Sequence, residues 1–305
     1  MTLAPSKRVR GLSMAEKMAV LENLPETGLL LIGMGPGTVA GMTIEAKRAA
    51  KMCDILRYEA YTALWPQDEL DLLEIECGEI TKVMRPEIET PESLFELAKN
   101  SLVGLLVVGD PLQATTHVDL QLQAAEAGIE CITFHGISIT TIVTGALGLS
   151  NYKFGRQTTL TYPYGGWIAT SPLEVIAMNM SLGHHTLALL DLDPTGAGIG
   201  QQKPMRPADA VQSVVSMIDK LKIDFENFSK DSAYDALKFE ALKTIQNTPL
   251  DAFRVVLCSD MGTPAQNIRS TNLEALSQIT GGSMNCLVFL GKMSDVEEKA
   301  LLRWQ

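Results

Sequence analysis

An α/β fold follows from three features of the chain: short apolar runs that end in glycine, amphipathic stretches of helical period between them, and turn residues at the joins. The runs GLLLI (Gly28–Ile32) and LVGLLVV (Leu102–Val108) lack polar alternation, as strands covered on both faces must. Alternation of such runs with helical segments predicts a largely parallel sheet.

Taken in order, GLLLI leads into the turn GMGPG (Gly33–Gly37). Thr43 then stands where it can cap a helix running to Cys53, with Glu45 in the first turn, where the helix dipole favours an acid. DILRYEAYT (residues 54–62) reads as a second strand. WPQDELDLLEIECGEITKVMRPEIE (residues 65–89) is acidic and poorly periodic, and is expected to be irregular. TPESLFELAKNS reads as a helix with Thr90 as its cap and Pro91 at its first position; Leu94, Phe95, Leu97 and Ala98 share one face. After LVGLLVV, a helix at HVDLQLQAAEAG is closed by Gly128 and followed by the strand IECITF. SITTIVTGAL is helical, TLALLDLD a strand, Ala208–Leu221 and Ser232–Gln246 helices, and FRVVLC and CLVFL the last strands. GLSNYKFGRQTTLTYPYGGW (residues 148–167) is rich in glycine and aromatics and has room for hairpin pairing.

At 305 residues the chain accommodates two domains, expected as an N-terminal extension over residues 1–27, a first α/β domain over 28–136 and a second over 137–305. The extension carries Lys7, Arg8 and Arg10. Its next stretch is broken by Glu16, Lys17 and Glu22, which excludes a secretory apolar segment and leaves room for one short helix. With 46% hydrophobic and 20% charged residues and no 18-residue apolar run, the composition is that of a soluble protein, expected in the cytoplasm and off the membrane. A net charge of -11 opposes nucleic acid and favours protein or small-molecule partners. The five cysteines, odd in number and without CxxC spacing, suggest neither disulfides nor zinc.

In open parallel sheets ligands sit outside the carboxyl ends of the strands, and three loops there carry usable chemistry. GMGPG lets backbone approach a ligand, but Gly35-Pro36-Gly37 breaks dinucleotide-binding spacing and Pro36 removes an N–H. In VVGDPLQATTH, Asp110 is placed to accept from backbone or from a ligand hydroxyl, whereas Thr115, Thr116 and His117 are read as helix capping or packing. HGISIT places Ser138 after a strand without the GxSxG of a nucleophile elbow. His117, His135, His184 and His185 have no metal-ligand spacing, so no metal is expected and hydrolase or metalloenzyme chemistry is disfavoured. A cofactor needing alignment more than acid–base help suits these loops, and no catalytic base is named.

The succession LLLIGMGPGT, VVGDPLQATTHVDLQLQAAEAGIE, HGISI, GLSNYKFGRQTTLTYPYGGW and GHHTLALLDLD resembles the diphthine synthase family of the tetrapyrrole methylase superfamily, from Gly28 to the C-terminus. GDPLQATTH followed by YKFG is its specific part; the first glycine loop is shared across the superfamily. The resemblance implies two α/β domains of the tetrapyrrole methylase type, with S-adenosyl-L-methionine in the cleft between them, in a homodimer. It implies methylation of elongation factor 2 on the way to diphthamide, at the amino group of the aminocarboxypropyl side chain on its modified histidine. Carried over by position, the implied cofactor contacts are Pro36, Asp110, Gln113, Ser138 and Ile139, with Leu190, Met261 and Asn285. Similar proteins usually have leucine at Pro36, a small apolar residue at Gln113 and histidine at Asn285. GMGPG is closer to cobalamin-pathway methylases, which keeps a precorrin acceptor as the alternative and a non-catalytic cofactor-binding protein as a third reading. The extension and PTGAGIGQQKPMRP (residues 194–207) also depart from the family pattern.

Overall fold

The computed structural model describes residues 24–199 and 202–305; the expected short helix of the extension, and Gly200 and Gln201 of the glycine-rich insert, lie outside the described residues. The described chain divides into two compact units, the first ending at Ile139 and the second beginning at Thr140.

The first unit is built on five parallel strands: β1 (Gly28–Gly33), β2 (Ile55–Glu59), β3 (Ile80–Val83), β4 (Leu102–Val107) and β5 (Cys131–Phe134), in the order β3-β2-β4-β1-β5. Every residue of β1 and β4 is buried, which their unbroken apolar runs require at the centre of a two-sided sheet. Leu30 and Ile32 face one core with Ala46, Ala49 and Ala50 of α1 (Ile44–Met52). Leu29 and Leu31 face the other, with Leu94, Phe95 and Ala98 of α4 (Glu92–Ala98). Thr43 caps α1 as expected, its side chain accepting from Ala46 N.

Two expectations fail here. Residues 65–89 are regular, forming α2 (Gln67–Cys77), β3 and α3 (Arg85–Glu89). The helix α2 buries Leu70 and Leu73 and exposes most of the rest, so its acids mask the period, while Asp68 and Glu69 in its first turn suit the dipole. The strand β3 is short and lies on the sheet edge, where charge is tolerated and even protective. Thr90 does not cap α4: it terminates α3, and α4 begins from Pro91 without a side-chain cap. The helix α5 (His117–Glu126) completes the unit.

The second unit holds β6 (Thr158–Leu160), β7 (Thr186–Leu190), β8 (Arg254–Ser259), β9 (Asn267–Asn272) and β10 (Asn285–Phe289), ordered β6-β7-β10-β8-β9. Only β6 and β7 pair in parallel; β10 runs antiparallel to β7 and β8, and β9 antiparallel to β8. Largely parallel pairing therefore holds for the first sheet and not for the second. The strand β9, NIRSTN, escaped notice because it is a polar edge strand, and the link from β8 is too short for the crossover that parallel pairing needs. The helices are α6 (Ile139–Ala146), α7 (Ser171–Ser181), α8 (Pro207–Asp224), α9 (Ala233–Gln246), α10 (Leu273–Leu276) and α11 (Asp295–Leu301). Ser232 and Asp235 form a reciprocal capping box on α9. Val214, Ile218 and Leu221 of α8 pack in one cluster with Leu257, Leu287 and Phe289 of the sheet.

YKFG, which with GDPLQATTH carries the specific part of the resemblance, is consumed in a clamp. The carboxylate of Glu297 on α11 is buried and accepts from Lys153 Nζ at 2.6 Å, Ser294 N at 2.8 Å, Ser150 N at 3.0 Å and His185 Nε2 at 3.2 Å. Gly291 N donates to His185 Nδ1 at 3.1 Å, so the hydrogen of a neutral ring sits on Nε2, toward Glu297. Burial alone would raise the Glu297 carboxyl, but Lys153, the two backbone donors and His185 together hold it well below the usual carboxylate range. Among the described residues no helix is long and apolar enough to cross a membrane, and the five cysteines form no disulfide.

Removing one partner from such a buried pair leaves the others unpaired, so Glu297→Ala should lower stability by about 3 kcal/mol in urea titrations at neutral pH. Because the folded carboxyl lies below its unfolded value, that contribution is complete above a pH of about 4.3 and is lost as pH falls through the folded value. Wild type and variant should therefore converge on acidification; a gap that stays constant would refute the clamp.

Candidate cofactor site

At the carboxyl edge of the first sheet, the loops after β1, β4 and β5 meet backbone to backbone. A Cβ on Gly136 would lie 2.1 Å from Gly109 O, and one on Gly33 would lie 2.4 Å from Gly136 N. No side chain fits at either position, because contact between the strand ends fills the space. Gly35 and Gly109, at φ of +72° and +75°, exchange two hydrogen bonds, Gly35 N to Gly109 O at 3.1 Å and Gly109 N to Gly35 O at 2.9 Å. Thr38 Oγ1 accepts from Gly41 N, and Glu69 of α2 accepts from Val39 N at 2.7 Å, which fixes the rest of the first loop around Pro36.

Asp110 is buried at the centre of this junction. Its Oδ1 accepts from Leu112 N at 2.9 Å and its Oδ2 from Gly136 N at 3.3 Å, while His135 Nδ1 lies 2.8 Å from Oδ2. The acid thus ties the second loop to the third. Gly109 is itself buried, and a Cβ there would make ordinary contact with Ser138 Cα at 3.8 Å. The junction sets a buried acid and a buried serine against close-packed glycine backbone, polar groups that suit a cofactor held through main chain. The fit is to a group held by alignment rather than by ion pairing, since Asp110 already spends its oxygens on the protein. Among the described residues no group of three or more His, Cys, Asp or Glu is placed to hold a metal ion.

In the second unit, Leu190 ends β7, Met261 lies just past the end of β8 and Asn285 begins β10. The antiparallel register pairs Asn285 with Ser259 and Cys286 with Leu189, which brings Leu190, Met261 and Asn285 to one edge of the second sheet. Asn285 is occupied in holding that edge: its Oδ1 accepts from Ser259 Oγ at 2.7 Å and Gly282 N at 2.9 Å, and its Nδ2 donates to Gly282 O at 3.0 Å. Asp260, in the left-handed region at φ +48°, accepts from Met284 N at 2.9 Å and Ser283 N at 3.1 Å. Leu190 and Met261 are both buried.

The eight expected contacts therefore gather at two sheet edges. Pro36 and Ile139 are half-buried, Asp110 and Ser138 buried, and Gln113 exposed, with its backbone N donating to Asp110 O at 3.2 Å. His117 is buried at the start of α5 and bonded to Pro111, and Thr116 precedes α5 without a side-chain cap, so of capping and packing it is packing that holds for His117. The residues missed are His135, which meets Asp110, and Gly33 and Gly136. The only trace of them in the sequence is that each glycine, and the histidine, sits at a strand end.

Residues 28–277 match the family model for Tetrapyrrole (Corrin/Porphyrin) Methylases. A diphthine synthase of Methanocorpusculum labreanum is 29% identical over 280 residues, 90% of this chain and 98% of its own. Diphthine methyl ester synthase 2 of Candida albicans is 31% identical over 274 residues, 87% of this chain and 85% of its own. A crystal structure of diphthine synthase superposes with a TM-score of 0.71 at 26% identity, covering 90% of this chain and 95% of that one.

A methyl group at position 136 must push the second and third loops apart. Gly136→Ala should cost about 1–3 kcal/mol of stability and move the amide resonances of Gly33, Gly109 and Asp110. A spectrum changed only at residues 135–137 would show that the three loops do not meet here.

Proposed function

The chain belongs to the tetrapyrrole methylase family and, within it, to the diphthine synthases, which are methyltransferases, and from that premise we propose that its methyl donor is S-adenosyl-L-methionine and its acceptor elongation factor 2. The acceptor atom is the amino nitrogen of the aminocarboxypropyl side chain on the modified histidine, and the product lies on the way to diphthamide. The observation that carries this reading is the junction of glycine strand ends around buried Asp110 and Ser138, found in a chain of this family. We assign cofactor contact to Pro36, Asp110, Gln113, Ser138 and Ile139 at the first edge and to Leu190, Met261 and Asn285 at the second. We place the enzyme in the cytoplasm as a homodimer.

When bound, the cofactor supplies a methyl carbon already activated by positive sulfur. The task left to the protein is alignment and exclusion of water, in which well-held geometry is worth several powers of ten in rate. Asp110 is suited to this because bonds from Leu112 and Gly136 fix its carboxylate before any ligand arrives. Gly109 and Ser138 lie within contact of each other, which keeps the second and third loops together beside Asp110. An acceptor amine that arrives deprotonated would need no base from the protein, because transfer of the methyl would leave the donor sulfur as a neutral thioether.

Mass spectrometry of partly modified elongation factor 2, incubated with the chain and labelled cofactor, should show added methyl groups. Label transferred to a precorrin instead, or to no acceptor, would defeat the proposal. The Candida relative's name specifies a methyl ester, so the product is also to be treated with mild base, which releases methyl from a carboxylate and not from an amine. Asp110→Ala should weaken cofactor binding in calorimetry by at least about tenfold, because the charged bonds from Leu112 N and Gly136 N that hold the second and third loops are lost. Ser138→Trp should abolish binding with the circular dichroism spectrum unchanged. Unaltered titrations would remove those residues from the site.

A further inference from the structure

Beyond the assigned contacts, the edge of the second sheet carries a small hairpin with an aromatic side chain in solvent. Tyr164 and Trp167 pair antiparallel, Trp167 N donating to Tyr164 O at 2.9 Å and Tyr164 N to Trp167 O at 3.1 Å. Between them, Gly165 and Gly166 sit at φ of +56° and +84°, the positive pair that a two-residue turn of matching twist requires. The turn leaves Trp167 63% exposed, whereas Trp65 is buried and Trp304 half-buried.

One exposed tryptophan means little by itself, but this one is braced. Tyr164 OH donates to Asp191 Oδ2, which also accepts from Tyr162 N at 3.1 Å. Asp191 directly follows Leu190, the last residue of β7, so the hairpin is pinned to the edge where Leu190 is assigned to the cofactor. The glycine-rich insert supplies a second brace. Asp193 Oδ2 accepts from Gly198 N at 2.6 Å and its Oδ1 from Thr195 N at 2.8 Å. The loop so closed sets the backbone of Gly196 against the Tyr164 ring, where a Cβ would come within 2.9 Å of a ring carbon. Lys203 N and Met205 N then tie the returning chain to Leu192 O at 2.8 Å and Asp191 O at 2.9 Å.

A large, flat side chain held rigidly in water loses little conformational freedom when a partner covers it, which is the character of an interface anchor. The carboxylates of Asp191 and Asp193 lie at the foot of the hairpin, in a chain of net charge -11, so the complementary surface is basic. The indole face attracts a cationic side chain on its own account.

We propose that Trp167 is a docking residue for the protein acceptor, taking a lysine or arginine side chain on the surface of elongation factor 2 beside the modified histidine. Tyr164, Asp191 and Gly196 are the positioning residues that hold it. The hairpin brings the acceptor to the second sheet edge and does not touch the reacting atoms.

This rests on elongation factor 2 being the acceptor, and two measurements keep the two ideas apart. Calorimetric binding of partly modified elongation factor 2, without cofactor, should weaken about tenfold or more in Trp167→Ala and much less in Trp167→Phe, which keeps a ring. Equal affinity of Trp167→Ala and wild type, equal losses in the two variants, or no binding in wild type would overturn the docking role. In methyl transfer, Trp167→Ala should raise KM for elongation factor 2 by the same factor, with kcat and the affinity for S-adenosylmethionine unchanged. Tyr164→Phe, which removes the bond to Asp191 and keeps the ring beside Gly196, should raise that KM by less. An unchanged KM in Tyr164→Phe would refute the brace, and a loss confined to kcat or to cofactor affinity in Trp167→Ala would refute docking. A wild type that transfers no methyl would overturn the functional reading instead, whatever the binding result.

Discussion

Everything at the first sheet edge depends on how closely three strand ends approach. Gly33, Gly109 and Gly136 stand where backbone touches backbone, and the reciprocal bonds between Gly35 and Gly109 hold the first two loops at that distance. This is a steric constraint before it is a chemical one. A side chain at Gly136 would meet the carbonyl oxygen of Gly109, which cannot move without straining its bond from Gly35 N. Once the ends are that close, one carboxylate can reach from the second loop to a backbone N–H of the third, and Asp110 does so. The same closeness buries Gly109 against Ser138, so one steric constraint ties the second loop to the third as well as to the first.

The sequence was most legible where burial is two-sided. GLLLI and LVGLLVV admit no other placement than the middle of a covered sheet, and they mark the central strands β1 and β4. It was least legible at sheet edges. β3 and β9 expose polar side chains because edge strands tolerate them, and the buried stripe of α2 is only Leu70 and Leu73 within an acidic surface. Strand direction in the second unit was hidden for another reason: parallel and antiparallel runs of apolar residues look alike, and loop length, read only after β9 is known, separates them. For the site, the residue types at strand ends were readable, but bonds such as His135 to Asp110 join positions far apart in sequence, and no local pattern records them.

One of the two motifs that carry the specific part of the resemblance is spent on packing. YKFG supplies Lys153 to the carboxylate of Glu297, and its phenylalanine packs on His185, whose ring is held by Gly291 and Glu297. A buried carboxylate with four different donors cannot lose one without leaving the others poorly satisfied, so such a clamp tolerates little change. Specific spelling can thus report a packing requirement as strongly as a functional one. GDPLQATTH combines both: Asp110 belongs to the loop junction, whereas Thr115 and His117 hold the turn's own carbonyl.

The three departures from the family's usual residues fall where side-chain identity has the least leverage. Pro36 removes an N–H from the first loop, but the junction there uses Gly35 N, which is already committed to Gly109 O. Gln113 is exposed, and the contact that places it in the turn is made by its backbone N. Asn285 has its amide engaged with Ser259 and Gly282, so what it presents at the edge of the second sheet is set by main chain and by the turn it holds. A ligand surface made mainly of backbone is indifferent to such changes, provided the glycines of the junction remain. On that ground the substitutions at Pro36, Gln113 and Asn285 say less about which methyl acceptor the chain takes than the intact junction of Gly33, Gly109 and Gly136 says about what it can hold.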